Sequence, residues 1–287
     1  FWPLIRMAEN LPSTTAEYLA GWASETFRLR TRNVSAPEII SAFLNGHLIL
    51  LLASLSALPY FGLGRIISGS RLGGVLSAAL VATMPGLIVM SPELDQVYIL
   101  IAGCSLFTML MALRPWFGIS PMLFGFGSGL FLATGFFLTW GLLIWLALHA
   151  CLLGAYLLGF NVMYQDRAPS THDRLRTGLV VSLALILGLS LPYILLAMTT
   201  PYNVLDVARQ GLSHYQTYEA TGRPGRNIWL LYGPLDTAQF IGLPLALTAC
   251  LLIFSRAGVE GGVKINLLTA ARSLNCYSMA LIGIVAV

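Results

Sequence analysis

The sequence predicts an all-α, polytopic integral membrane protein, with about seven to eight transmembrane helices plus interfacial helices on the outer face. Three observations carry this. First, 57% of the 287 residues are hydrophobic and only 10% are charged, with a mean hydropathy of +0.78, whereas a soluble domain carries about 25% charged residues. Second, the charges are clustered. Asp, Glu, Lys and Arg are absent from 39–64, 72–92, 96–113, 115–165, 177–205, 237–255 and 273–287, and a helix crossing the hydrocarbon core needs roughly 20 mostly apolar residues. Third, those runs show no alternating period, so helices rather than a barrel do the spanning. Soluble enzymes, disordered chains and disulfide-stapled secreted domains are thereby excluded.

Residues 1–36 form an outer-face loop. Thr14-x-x-Glu17 matches a capping box that would open a helix. Leu19, Trp22, Ala23 and Phe27 then share a face, with Glu17, Ser24, Glu25 and Arg28 elsewhere. That pattern describes an interfacial amphipathic helix, or an ordinary surface helix.

Residues 37–198 form a six-helix transmembrane region. The first span covers about 37–63, and a loop carries Arg65 and Arg71. The second covers about 72–90 and ends or kinks at Pro85-Gly86. Ser91-Pro92-Glu93-Leu94-Asp95 is a tight acidic turn before a third span at 96–113. The 51 charge-free residues from 115 to 165 suit two helices, near 119–135 and 138–160, broken around Gly135 to Trp140. A charged loop at 164–176 precedes the sixth span at 177–198. An outer loop with an amphipathic helix, 199–236, leads to the last spans in 237–287, one to about 255 and a partial one from about 267. The chain opens Phe1-Trp2-Pro3 and stops within the apolar run Met279 to Val287, and it reads as a portion of a longer protein.

The net charge of +4 belongs to membrane topology and not to a nucleic-acid partner. Nine of the sixteen basic residues, among them Arg65, Arg71, Arg114, Arg174 and Arg176, fall in four short loops on one side. The other seven lie in the two long segments. Residues 1–36, the Glu93–Asp95 turn and 199–233 therefore share the outer face.

Candidate chemistry is sparse. The four cysteines sit in apolar runs without C-x-x-C spacing and read as small core residues. His47 and His149 are the two histidines at membrane depth and read as hydrogen-bonded packing residues. No haem, nucleotide or iron–sulfur cluster is expected. Gly125-x-Gly127-x-Gly129 reads as a close-packing helix face rather than a phosphate loop. Glu93 and Asp95 can offer two oxygen ligands to a divalent metal such as Mg²⁺ or Mn²⁺, or can serve as a solvated helix start where acids suit the dipole. In the second outer segment Arg223 and Arg226 suit phosphate oxygens, or lipid headgroups, and Trp229 and Tyr232 suit the interface or sugar faces.

The order of an outer interfacial helix, a span, Leu63-Gly64-Arg65 with Gly69-Ser70-Arg71-Leu72-Gly73-Gly74, a span ending Met84-Pro85-Gly86, and then Ser91-Pro92-Glu93-Leu94-Asp95-Gln96 before another span resembles the GT-C superfamily of polytopic glycosyltransferases. That superfamily includes protein mannosyltransferases, aminoarabinose transferases and oligosaccharyltransferase catalytic subunits. Most of the chain is covered, by loose motifs. The resemblance implies a sugar donor on a polyprenyl phosphate, an acceptor at the outer face, inversion at the anomeric carbon, and a bacterial cytoplasmic membrane as the setting. It makes Glu93 and Asp95 the metal- or donor-binding acids of the second outer loop, Arg223 and Arg226 the phosphate contacts, and Asp236 and Tyr232 residues that order the 199–236 loop bearing those arginines. The family's catalytic acid of the first outer loop finds no Asp in residues 1–36. It is expected upstream of Phe1, with Glu9 and Glu25 as weaker candidates. Membrane lipids and a membrane protein complex are the other expected partners. The alternatives are a non-catalytic integral membrane subunit of a larger complex, or a transporter or flippase for lipid-linked substrates.

Overall fold

A computed structural model describes residues 2–26, 35–84, 95–114, 120–138, 143–159, 170–201, 203, 206–207, 209–211 and 213. Among these the secondary structure is helical throughout, with no strand. The helices are α1 (Trp2–Glu9), α2 (Ser13–Thr26), α3 (Ala36–Leu55), α4 (Ala57–Ser68), α5 (Arg71–Ala82), α6 (Asp95–Leu113), α7 (Pro121–Leu138), α8 (Leu143–Leu157) and α9 (Thr171–Thr199). Four rods are long and apolar enough to cross a membrane: Ala36–Ser68, Gln96–Leu113, Pro121–Leu138 and Thr171–Thr199. This is a helical membrane protein. The expected seventh and eighth spans lie outside the described residues.

Local chemistry explains where the helices start and stop. The real capping pattern before the first rod is Ser35-x-x-Glu38: the Ser35 backbone N–H and hydroxyl both donate to Glu38 Oε2, at 2.8 and 2.7 Å. Thr14 does not open α2, which already begins at Ser13. The first rod runs to Ser68, so Arg65 sits in its last turn and not in a loop. Gly69, at φ 70°, takes the left-handed conformation that ends a helix. One residue later Ser70 Oγ accepts the Gly73 N–H at 3.0 Å and starts α5. A two-residue reversal results, and α4 and α5 pack closely along it. A Cβ at Gly64, Gly73 or Gly74 would collide with the facing helix, with Ser77, Ser68 and Phe61 respectively.

The charged segment 164–176 is also corrected in part. Ser170 caps α9 by accepting the Asp173 N–H at 3.2 Å, so His172, Asp173, Arg174 and Arg176 form the first two turns of that helix. The expected break around Gly135 to Trp140 is corrected only at its start: α7 continues through Gly135, a buried residue, to Leu138, and α8 begins at Leu143. Pro192 is accommodated within α9, where its missing N–H falls opposite the carbonyl of Gly188.

α6 is the central helix. Some 67% of its apolar window is buried, against 22% for α9, and it packs on α3, α4, α7, α8 and α9. Its neighbours' directions are read from paired contacts. Gly103 faces Tyr60 and Gly62 faces Phe107, so α4 and α6 run parallel. Gly125 meets Val181 and Ala184, Gly129 meets Leu185 and Gly188, and the Tyr193 hydroxyl donates to the Ala133 carbonyl at 3.1 Å, so α7 and α9 run parallel. Leu157 packs on Gly178 and Gly159 on Arg174, making α8 and α9 an antiparallel pair. Ser105 and Ser128 meet about two turns from the near ends of α6 and α7, which form a hairpin.

One end of the bundle therefore gathers the C-termini of α4, α6 and α8 with the N-termini of α5, α7 and α9. It carries Arg65, Arg71, Arg114, Arg174 and Arg176. At the other end α1 and α2 pack their small face, Ala8, Ala16, Ala20 and Ala23, on Ile39 and Ile40 of α3. Trp22 stands edge-on to Phe43 there, with centroids 4.9 Å apart.

Candidate functional site

Asp95 is the first residue of α6, and so stands at the arginine-poor end of the central helix. Because α4 and α6 run in register from Tyr60 opposite Gly103, that start lies level with the middle of the α3–α4 rod. Glu9 and Glu25 are not brought to it. They ride on α1 and α2, which pack around Ile39, Ile40 and Phe43 further along α3. Glu9 is exposed and ion-paired with Arg6 at 3.3 Å, one turn away on the same helix. Glu25 is exposed near the end of α2. Glu93, the Asp95 side chain, Arg223, Arg226, Tyr232 and Asp236 lie outside the described residues. Among the described residues no group of three or more His, Cys, Asp or Glu side chains forms a metal-ligand set.

The constellation that single residues did not foretell is a buried polar node on α6, α7 and α8. Ser105, Ser128 and His149 are each 0% exposed, surrounded by Met109, Leu132 and Leu152 of the same core. His149 Nδ1 lies 2.6 Å from the Trp145 carbonyl oxygen. A carbonyl can only accept, so Nδ1 carries the proton and Nε2 is left as the acceptor. The Ser105 hydroxyl, 3.0 Å from Nε2, donates to it. Ser128 Oγ in turn donates to the Ser105 carbonyl at 2.9 Å. Every strong donor of the three side chains is thus used, as burial in an apolar bundle demands.

A serine 3.0 Å from a histidine also has the outline of a nucleophile and its base. Closed packing on all sides leaves a substrate no approach, so the node fastens three helices together. His149 is therefore the hydrogen-bonded packing residue its sequence context indicated. His47, by contrast, is exposed on α3, with Nδ1 2.9 Å from the Phe43 carbonyl.

Two further sequence readings divide. In the glycine face, Gly125 and Gly129 do pack against α9, whereas Gly127 points to open space. Of the cysteines, Cys104 is half-buried and Cys151 is exposed on α8, both as free thiols; Cys250 and Cys276 lie outside the described residues. The chain matches no protein-family model, no curated protein and no solved structure.

Proposed function

We propose that this chain is a GT-C-like glycosyltransferase of a bacterial cytoplasmic membrane, with seven to eight spans in all. It would move a sugar from a polyprenyl-phosphate donor to an acceptor at the outer face. The observation that supports this reading is the position of Asp95. The acid-bearing run Ser91–Asp95 leads into the buried central helix at the end away from Arg65, Arg71, Arg114, Arg174 and Arg176, and the positive-inside rule assigns that end to the outer face.

In this reading an acidic side chain takes the proton of the acceptor hydroxyl as the bond to the anomeric carbon forms. Arg223 and Arg226 stabilise the phosphate charge left on the departing lipid carrier. Asp236 and Tyr232 order the segment that presents those arginines. Glu93 and Asp95 would hold the divalent metal, Mg²⁺ or Mn²⁺, whose charge would offset that of the donor phosphate.

The test is transfer from a polyprenyl-phosphate sugar by the membrane-inserted protein. Glu93→Gln and Asp95→Asn are each expected to lower transfer by about 100-fold or more while insertion is unchanged. Wild-type transfer rates in both variants would remove these acids from the site. A non-catalytic subunit is the second reading, favoured by the Arg6–Glu9 pair, which occupies one of the first-loop acids in a surface ion pair. It predicts co-purification with a stable partner and no turnover of any lipid-linked sugar. Movement of a lipid-linked substrate across vesicles without a covalent product would favour a transporter or flippase instead.

A further inference from the structure

The two ends of the bundle differ in charge. At one end the described residues include Arg65, Arg71, Arg114, Arg174 and Arg176 with Asp173 as the acid among them. The opposite end holds Glu9, Glu17, Glu25, Glu38 and Asp206, with Arg6 and Arg209 engaged by Glu9 and Asp206 at 3.3 and 3.6 Å.

At the basic end, Asp173 does not pair with its neighbour Arg174: its Oδ2 accepts the Ser170 hydroxyl at 2.6 Å. The Arg174 guanidinium instead folds over Gly159, where any side chain would overlap it, and donates to Thr171 Oγ1 at 3.1 Å. Gly159, at φ 83°, has the left-handed backbone that lets α8 end beneath the guanidinium. Arg174 Nε is shielded from solvent and has no hydrogen-bond partner among the described residues.

The apolar side chains that succeed these arginines along each helix set their depth. Arg174 and Arg176 are succeeded on α9 by a strip of exposed apolar side chains, Leu175, Leu179, Leu183 and Ile186, at helical spacing. Arg71 is succeeded on α5 by Leu72, Val75, Leu76 and Leu80, all exposed. Such strips face acyl chains, and each begins beside an arginine. The arginines therefore stand at the level of lipid headgroups, a depth that free anions or a soluble acidic protein would not explain.

We propose that this end of the bundle binds anionic phospholipid headgroups, with the Arg174–Arg176 corner as the principal contact and Arg71 as a second one. A headgroup phosphate at the corner meets the Arg174 guanidinium while its acyl chains lie along the Leu175–Leu179–Leu183 strip. Lipid binding here is independent of glycosyl transfer, since it concerns the end opposite Asp95.

The purified full chain in neutral detergent, titrated with phosphatidylglycerol or with phosphatidylcholine of the same acyl chains, tests it. Bound lipid is counted by native mass spectrometry, and the thermal midpoint is tracked in parallel. Phosphatidylglycerol is expected to bind more tightly and raise the midpoint, with the difference shrinking at high salt. One arginine near an anionic surface is worth about fivefold in binding, so R174Q with R176Q should weaken phosphatidylglycerol binding roughly 30-fold. Phosphatidylcholine binding should be unchanged, and R209Q at the other end should have no effect. R71Q with R176Q, both exposed positions, gives an independent reading if the Arg174 change impairs folding, with a similar expected loss. Equal affinity for the two lipids, undiminished phosphatidylglycerol binding in both double variants, or the same stabilisation from inorganic phosphate would overturn the proposal.

Discussion

The most consequential single residue in the described bundle is His149, because its position makes an otherwise costly side chain useful. An imidazole placed among leucines and methionines must keep both nitrogens occupied. It does so with one bond to its own helix, to the Trp145 carbonyl, and one from Ser105 on α6. Interhelical hydrogen bonds within membranes contribute about 0.6 to 1.7 kcal/mol, so the node is a modest but specific tie. Ser105→Ala and His149→Leu are each expected to destabilise the detergent-solubilised protein by about 1 kcal/mol. The double variant should cost clearly less than the two single losses added, because both remove the same bond. Additive losses in denaturant unfolding would mean that the Ser105–His149 contact contributes nothing. His149 as a packing residue was legible from its sequence, since a lone histidine in an apolar helix must be satisfied locally. Its partner was not. Pairing Ser105 with Ser128 and His149 depends on which faces of three helices meet, and that is decided by packing across the bundle.

At the scale of elements, the tightest junction is α7 against α9, and glycines make it. A Cβ at Gly129 would overlap the Leu185 carbonyl oxygen, and one at Gly188 would overlap the Phe126 carbonyl oxygen. Backbone cannot yield as a side chain can, so Gly129→Ala should force the helices apart and cost about 1 to 3 kcal/mol. Gly127→Ala, on the open face of the same helix, should be neutral or stabilising by up to about 1 kcal/mol through helix propensity alone. Thermal unfolding of the two variants side by side separates close packing from a general aversion to alanine. Equal effects would remove the glycine contact from the account. The same element shows why helix existence was legible and helix ends were not. A charge-free run in hydrocarbon must be helical to satisfy its backbone, but the helix continues for as long as caps and hydrogen bonds allow. α9 thus begins at Thr171 under the Ser170 cap, within the charged stretch that hydropathy alone assigns to a loop. Conversely Gly135, which reads as a breaker, is a packing residue of α7.

At the scale of the molecule, two separate lines lead to one topology. Arginine counting groups Arg65, Arg71, Arg114, Arg174 and Arg176 on one side. Helix directions taken from Gly62–Phe107, Gly129–Leu185 and Gly178–Leu157 independently bring those same residues to one end. Agreement is expected because the charge rule and the packing constrain the same chain reversals, the first through insertion and the second through glycine contacts. The proposed site residues were less legible, since Glu93, Asp95, Arg223 and Arg226 belong to polar segments of the sequence that no apolar periodicity constrains. Orientation can be measured directly. In a background with the four native cysteines replaced, Glu17→Cys on α2 and His172→Cys on α9 place single exposed thiols at opposite ends of the bundle. If the arginine-rich end faces the cytoplasm, a membrane-impermeant maleimide added to intact cells should label the thiol at position 17. The thiol at 172 should react only after the membrane is permeabilised. Labelling of both without permeabilisation would contradict the parallel pairing of α4 with α6. The reverse pattern would keep the fold but turn the protein over. Asp95 would then face the cytoplasm, and transfer from a lipid-linked donor at the outer face would no longer be tenable.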